Sequence, residues 1–389
     1  MNNNDTIEAA IDPSNKLTFL LDWELTLKCN LDCSYCSTGI YGGHDNSIPH
    51  PSVKECFETI DFMFEYVDLY MSNRIDSLKH VILNVYGGES LHHPHIVEIL
   101  QKCKDKYIKH YTDKWKLILQ ITTNLILPEK KLYKIINLLD NFTVSFHSES
   151  TNKQREQLKN NCKTLQEHDK KFKCIVLMHP NEEKWKICID FIEWCKKNNI
   201  SYLPRQLDHG SATTHFNYNK YQLEWFKELY SRRNGKEQVL DVEWKTEKNN
   251  ENKFDLSDSG RSCCGGRMLC ANQKYKRTHA FVENKFKGWS CSVNEFFLYI
   301  KQVTGEIFVN KDCKMNFDGE VGPIGNIKDS RRLLNWTKRN IENQTMPVIT
   351  CKKDRCFCGI CAPKSKFKSD FNNVVKKYRT FNINKSLED

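Results

Sequence analysis

The 389-residue sequence contains no apolar run long enough to cross a bilayer. Its longest early apolar patch, Leu17 to Leu21 with Thr18 inside it, falls far short of the roughly 20 residues a membrane-spanning helix needs. Residues 1–16 form a polar, acidic N-terminal extension, without the basic segment and apolar stretch of a secretory signal. A cytoplasmic chain with no membrane attachment is therefore expected. No internal repeat is present beyond an alternation of strands and helices. There is also no room ahead of the first strand for a separate peptide-recognition domain, and none is expected.

Eighteen cysteines in so long a chain, with no export signal, do not describe a small disulfide-bonded secreted domain. Thiols and metal ligands explain them better. Cys56, Cys103, Cys162, Cys174, Cys188 and Cys195 are scattered singly and read as small buried apolar residues. The others fall into a trio near the N-terminus and a group after residue 262. The net charge of +10 is carried largely by lysines on polar helix faces, such as Lys102, Lys104, Lys106 and Lys109. A solvated face explains these without a partner, although the excess keeps nucleotide or nucleic-acid binding in view.

Apolar runs alternate with helical patterns from residue 17 to 234. Strands are predicted at Leu17–Leu27, His80–Tyr86, Lys116–Thr122, Phe142–Phe146, Phe172–Met178 and Ile200–Arg205. Helices are predicted at Ser52–Met71, His95–Tyr111, Glu129–Leu139, Lys153–His168, Glu182–Asn198 and Lys220–Arg233. The run Val81 to Tyr86 is almost continuously apolar, as a strand covered on both faces should be. Such units are right-handed βαβ crossovers in an α/β fold, either a partial barrel or a doubly wound sheet. In both, ligands sit at the carboxyl ends of the strands. There the sequence places the cysteine trio, Gly87-Gly88-Glu89, Thr123-Asn124, Ser145 with His147 and Glu149, His179, and Arg205. Residues 235–260 read as a polar linker, 261–366 as a smaller cysteine-rich, turn-rich α+β domain, and 367–389 as a tail.

Cys29, Cys33 and Cys36 are spaced C-x3-C-x2-C. Three thiolates in one short loop can hold three irons of a 4Fe–4S cube and leave the fourth open to an outside ligand. Structural zinc wants four protein ligands, and His44 is the nearest candidate to complete the set.

This trio directly after a first strand, with Tyr35 before the third cysteine and Gly87-Gly88-Glu89 after the second strand, resembles the signature of the radical S-adenosylmethionine (SAM) superfamily over residues 17–234. The resemblance implies a partial (β/α)6 TIM-like barrel, a 4Fe–4S cluster that binds SAM, and an external flavodoxin- or ferredoxin-like electron donor. It further implies reductive cleavage of SAM to a 5′-deoxyadenosyl radical that takes a substrate hydrogen. In such a site Tyr35 lies near the adenine, Gly87 and Gly88 allow close approach, and Glu89 fixes the methionine ammonium. Ser145 and Glu149 are candidates for the ribose, with Asn124 nearby. Arg205 is a candidate for the SAM carboxylate or an acidic substrate group. His147 and His179 are weaker candidates.

Downstream, Cys291, a hairpin turning at Gly305, Cys313 and the group Cys351, Cys356, Cys358 and Cys361 resemble the auxiliary-cluster extensions called SPASM and twitch domains. The last group is tighter than the usual SPASM spacing. The resemblance implies one auxiliary iron–sulfur cluster on Cys291, Cys313, Cys358 and Cys361. A second would draw on Cys264, Cys270, Cys351 and Cys356. Relatives of this group act on peptide or protein side chains, the substrate class expected here. Two alternatives stand beside it. One is a radical enzyme acting on a nucleotide, nucleic acid or sugar derivative, favoured by Lys274, Lys276, Arg277, Arg331, Arg332 and Arg339. The other is a non-catalytic, zinc-stabilised binding protein.

Overall fold

The structure, a computed structural model, describes residues 7–8, 18–36, 44–72, 80–209, 214–233, 287–311, 313–343, 345, 347–352 and 364–365. The expected Cys264, Cys270, Cys356, Cys358 and Cys361, the linker and the tail lie outside the described residues.

Six parallel strands form the body: β2 (Thr18–Thr26), β3 (His80–Gly87), β4 (Lys116–Thr123), β5 (Asn141–His147), β6 (Lys171–Met178) and β7 (Tyr202–Gln206). They lie side by side in chain order with no reversal. Right-handed crossovers between strands in that order put every helix on one face, whereas a doubly wound sheet reverses its order midway. The order therefore selects the partial barrel.

Helices α1 (Val53–Met71), α2 (Ile96–His110), α3 (Glu129–Ile135), α4 (Asn152–Glu167), α5 (Glu182–Lys197) and α6 (Lys220–Arg233) accompany the strands. Capping boxes open α1 at Ser52 with Glu55 and α4 at Thr151 with Gln154. Helix α3 is shorter than its apolar pattern, ending at Ile135 because the chain must turn to enter β5.

Strand side chains divide by alternation. Phe19, Leu21, Trp23 and Leu25 of β2, Val81, Leu83 and Val85 of β3, and Phe142, Val144 and Phe146 of β5 join the helices in one core. The opposite, concave face carries Asp22, Glu24, Asn84, Gln120, Thr122, Ser145 and His147. Asn84 donates to Asp22 at 2.9 Å and accepts from Thr122 at 3.2 Å, so buried polar groups are paired across strands.

The cysteine-rich part adds to both of the larger sheets. The hairpin of β11 (Phe297–Lys301) and β12 (Glu306–Phe308) turns at Gly305, whose φ of +71° suits glycine. Strand β11 pairs in parallel with the free edge of β2, Phe297 opposite Leu20 through Lys301 opposite Glu24. With β13 (Gly325–Asn326) this makes a nine-stranded sheet. Helix α7 (Ser330–Glu342) packs Leu333, Leu334 and Ile341 into the same core as α1. A four-stranded sheet joins β1 (Ile7–Glu8), β15 (Lys364–Ser365), β10 (Ser290–Cys291) and β14 (Ile349–Thr350), so part of the N-terminal extension pairs with the far end of the chain. Strands β8 (Asp208–His209) and β9 (Thr214–His215) form a short ribbon after β7. Among the described residues no helix is long and apolar enough to cross a membrane.

Candidate radical SAM site

Strand β2 runs straight into the cysteine loop, and the ends of the next three strands fasten that loop in place. At the end of β3, Gly88 N–H donates to the Thr26 carbonyl at 2.7 Å and Glu89 N–H to the Lys28 carbonyl at 2.8 Å. A Cβ on Gly87 would lie 2.2 Å from the Thr26 oxygen, and one on Gly88 2.4 Å from the Lys28 oxygen. The two glycines are thus required by the chain's own crossing, and the close approach they allow is to the strand that carries the thiols.

Glu89 is 3 % exposed. Its carboxylate accepts from Leu91 N–H at 2.9 Å, Thr123 Oγ1 at 2.8 Å and Asn124 N–H at 2.6 Å, joining the β3 turn to the end of β4. Burial still raises its pKa against these donors. Asn124 turns its Nδ2 to Asn30 Oδ1 at 2.7 Å, inside the cysteine loop, while Asn30 Nδ2 donates to the Ile126 carbonyl at 2.9 Å. Beyond β5, Glu149 accepts from Ser34 N–H at 2.6 Å and Ser34 Oγ at 2.8 Å, and pairs with Lys184. Burial alone would raise the Glu149 pKa, but Lys184 and the Ser34 donors outweigh it and hold the carboxyl below its usual range.

His147, the last residue of β5, meets the loop from the same side. Its Nδ1 lies 2.8 Å from the Tyr35 hydroxyl and 3.5 Å from Cys33 Sγ, and its ring stacks on Tyr35 at 6.0 Å. Burial lowers its pKa to about 4, so it is a neutral ring. Ser145 stands one step deeper on the concave face of β5, and Arg205 lies on that face of β7, level with Leu177.

Chemically, the loop fits a cube. Burial pushes the thiols up, Cys29 to about 11 and Cys33 to about 12, and raises Cys36 as well, so each keeps its proton until a metal cation displaces it. Cys33 is buried and Cys36 exposed, which leaves the loop open on one side. His44, the candidate fourth zinc ligand, instead bonds Asp32 at 3.0 Å. Among the described residues no three His, Cys, Asp or Glu side chains close on a single ion. A cube holds its thiolates on separate irons, wider apart than the ligands of one ion.

The structure therefore brings Tyr35, Gly87, Gly88, Glu89, Asn124 and Glu149 to the cysteine loop. Ser145 and Arg205 lie deeper in the concave face. Of the expected auxiliary ligands that are described, Cys291 and Cys313 are buried, and Cys351 pairs its backbone with Trp289 and Gly288 beside β10. Ser34, Asn30 and Lys184 had no signal in the sequence, because each acts through a partner far away in the chain. His147 did have one: Asn141, Thr143, Ser145 and His147 continue a single alternation onto the concave face.

A profile described as the radical SAM superfamily matches residues 23–201. Residues 23–201 are thus a radical SAM superfamily domain. Such a domain implies SAM-dependent radical chemistry, with a 4Fe–4S cluster and SAM as cofactors. Among solved structures, "Native anSMEcpe with bound AdoMet and Cp18Cys peptide" is similar at 14 % identity and a TM-score of 0.48, covering 93 % of this chain and 96 % of that one. "Native anSMEcpe with bound AdoMet" is similar at 15 % identity and a TM-score of 0.47, covering 94 % and 96 %. Likenesses this distant carry no argument about substrate. No curated protein matches the sequence.

Proposed function

We propose that this radical SAM protein holds its cube on Cys29, Cys33 and Cys36 and modifies a peptide or protein side chain. The observation that carries the cluster assignment is a three-thiol loop fastened by the ends of three successive strands. When bound, the cluster and SAM supply a 5′-deoxyadenosyl radical that removes a substrate hydrogen.

The chain's own residues hold and shape that site. Glu89 and Asn124 lock the loop to β3 and β4, and Glu149 locks it to β5. Tyr35 is assigned to the adenine side. Ser145, with Glu149, is assigned to the ribose, and Arg205 to the SAM carboxylate. An auxiliary cluster on Cys291, Cys313, Cys358 and Cys361 is part of the same proposal, with Cys264, Cys270, Cys351 and Cys356 for a second. We place the barrel at residues 17–234 and the auxiliary domain at 261–366, in a cytoplasmic enzyme reduced by a flavodoxin- or ferredoxin-like donor. The peptide substrate rests on the resemblance of the cysteine order to SPASM and twitch extensions.

The test is anaerobic reconstitution with iron and sulfide, followed by SAM and dithionite, with 5′-deoxyadenosine quantified beside a Cys33→Ala control. Product from the unaltered chain and none from the control is expected. A fully loaded chain that makes no 5′-deoxyadenosine would end the proposal.

A further inference from the structure

Cys33 differs from Cys29 in what faces its sulfur. Cys29 Sγ meets groups of its own loop, Leu31 N–H at 3.4 Å and Asn30 Oδ1 at 3.9 Å. Cys33 Sγ meets the sheet: His147 Nδ1 lies 3.5 Å from it and 2.8 Å from the Tyr35 hydroxyl. The fold builds this contact. The alternation along β5 brings Asn141, Thr143, Ser145 and His147 to one face. Just beyond, Glu149 holds Ser34, the residue after Cys33, by two hydrogen bonds of 2.6 and 2.8 Å. The Tyr35 ring packs on His147 and on His179, at centroid distances of 6.0 and 5.9 Å, which fixes where its hydroxyl points.

We propose that Tyr35 and His147 donate a pair of hydrogen bonds to the Cys33 sulfur and so raise the reduction potential of the cube bound there. The proposal rests on the cluster assignment above and adds what sets the potential. In this role both act through Cys33, as positioning residues rather than catalytic ones.

The direction of these bonds follows from the ligand. A cysteine on a metal has lost its proton, and a thiolate can only accept. A lone pair on Nδ1 facing it would repel it. The hydrogen therefore sits on Nδ1, as it does in the protonated ring and in one of the two neutral tautomers alike. With Nδ1 donating, the Tyr35 hydroxyl hydrogen turns toward the sulfur, where its bond favours the thiolate. Cys33 is 8 % exposed, and hydrogen bonds in such a low-dielectric place are stronger than in water. Reduction adds one electron from the external donor and no proton, so negative charge on the cube and its thiolates increases. Hydrogen bonds to the sulfurs stabilise that charge and make the electron easier to accept.

The test is a redox titration of the full chain reconstituted with iron and sulfide, followed by electron paramagnetic resonance. The signal to follow is the reduced-cluster signal that the unaltered chain shows and Cys33→Ala lacks; signals common to both serve as an internal reference. At a fixed potential, its reduced-to-oxidised ratio should fall about tenfold in the Tyr35→Phe, His147→Val double variant, a shift of about 59 mV for one electron. Each single variant should fall by less, and the reference signals should stay where they are. His147→Asn places an amide N–H near the position of Nδ1 and should restore most of the loss, which a merely space-filling histidine does not predict. An unshifted potential, an upward shift, or His147→Asn falling as far as His147→Val would overturn the proposal. So would failure of both Tyr35→Phe and His147→Val to take up the cube, because the pair would then hold the loop rather than tune the cluster. An unaltered chain with no signal beyond those of Cys33→Ala would instead end the cluster assignment itself.

Discussion

A methyl group on Gly88 would press on the Lys28 backbone oxygen, which no side-chain rotation can relieve. Gly88→Ala should therefore cost about 1–3 kcal/mol of stability, the range for overpacking, and loosen the loop that carries the thiols. Thermal melting and iron content after desalting would check it; a variant that melts and retains iron like the unaltered chain would contradict the crossing described. Gly87-Gly88-Glu89 was visible in the sequence, but the reason for its glycines was not. A motif shows which residues recur after a strand, while the atom they avoid lies on a strand far earlier in the chain. Glu149 shows the same limit: its place after β5 was legible, and its partner Ser34 was not. His147 was legible in the alternation, yet its contact with Tyr35 was not, because a lone histidine at a strand end is usually a satisfied polar residue.

Strands are where sequence spoke most clearly. The bounds of β3, β4 and β6 follow the apolar runs to within a residue, since strands buried beneath helices must be apolar along most of their length. The β11–β12 hairpin was also legible from its glycine turn. Its docking was not, because parallel pairing with β2 depends on shape and edge complementarity, which leave no local pattern. One buried contact reports on that docking directly: Trp23 Nε1 donates to Gln302 Oε1 at 2.9 Å, while Gln302 N–H donates to the Glu24 carbonyl. Gln302→Ala leaves the indole N–H unpaired, at a cost of about 1–3 kcal/mol. Chemical denaturation should show the loss, and Trp23→Phe in the same background should recover part of it. No change in midpoint for Gln302→Ala would mean that the edge is held by something else.

Across the whole molecule, the rim at the strand ends is rich in histidines kept neutral. Burial, acting with neighbouring histidines and with Lys28 and Lys131, lowers His50 to about 4, and burial first lowers His92, His93, His147 and His179 as well. An unfolded histidine titrates near about 6.5. Below that pH the unfolded chain binds more protons at these positions, so stability contributed by these rings is present above about 6.5 and is lost as pH falls, for His50 through about 4. Glu24 and Glu89, with raised pKa values, act in the opposite sense. Comparison with His50→Gln separates the two: its melting temperature should fall less between about pH 7 and pH 4.5 than that of the unaltered chain. Parallel curves would show that His50 plays no such part. The pairing of β2 with β11 also sets an order of events during synthesis. Trp23 waits for a partner 279 residues downstream. At roughly 5–20 residues per second, the outer edge of β2 stays open on the ribosome for times on the order of tens of seconds. An unpaired strand edge invites pairing with other chains, so the nascent protein is most exposed to aggregation while the stretch that carries its thiols is already outside the exit tunnel. Slowing translation late in the message should lower the yield of properly folded chain, even though no residue has changed.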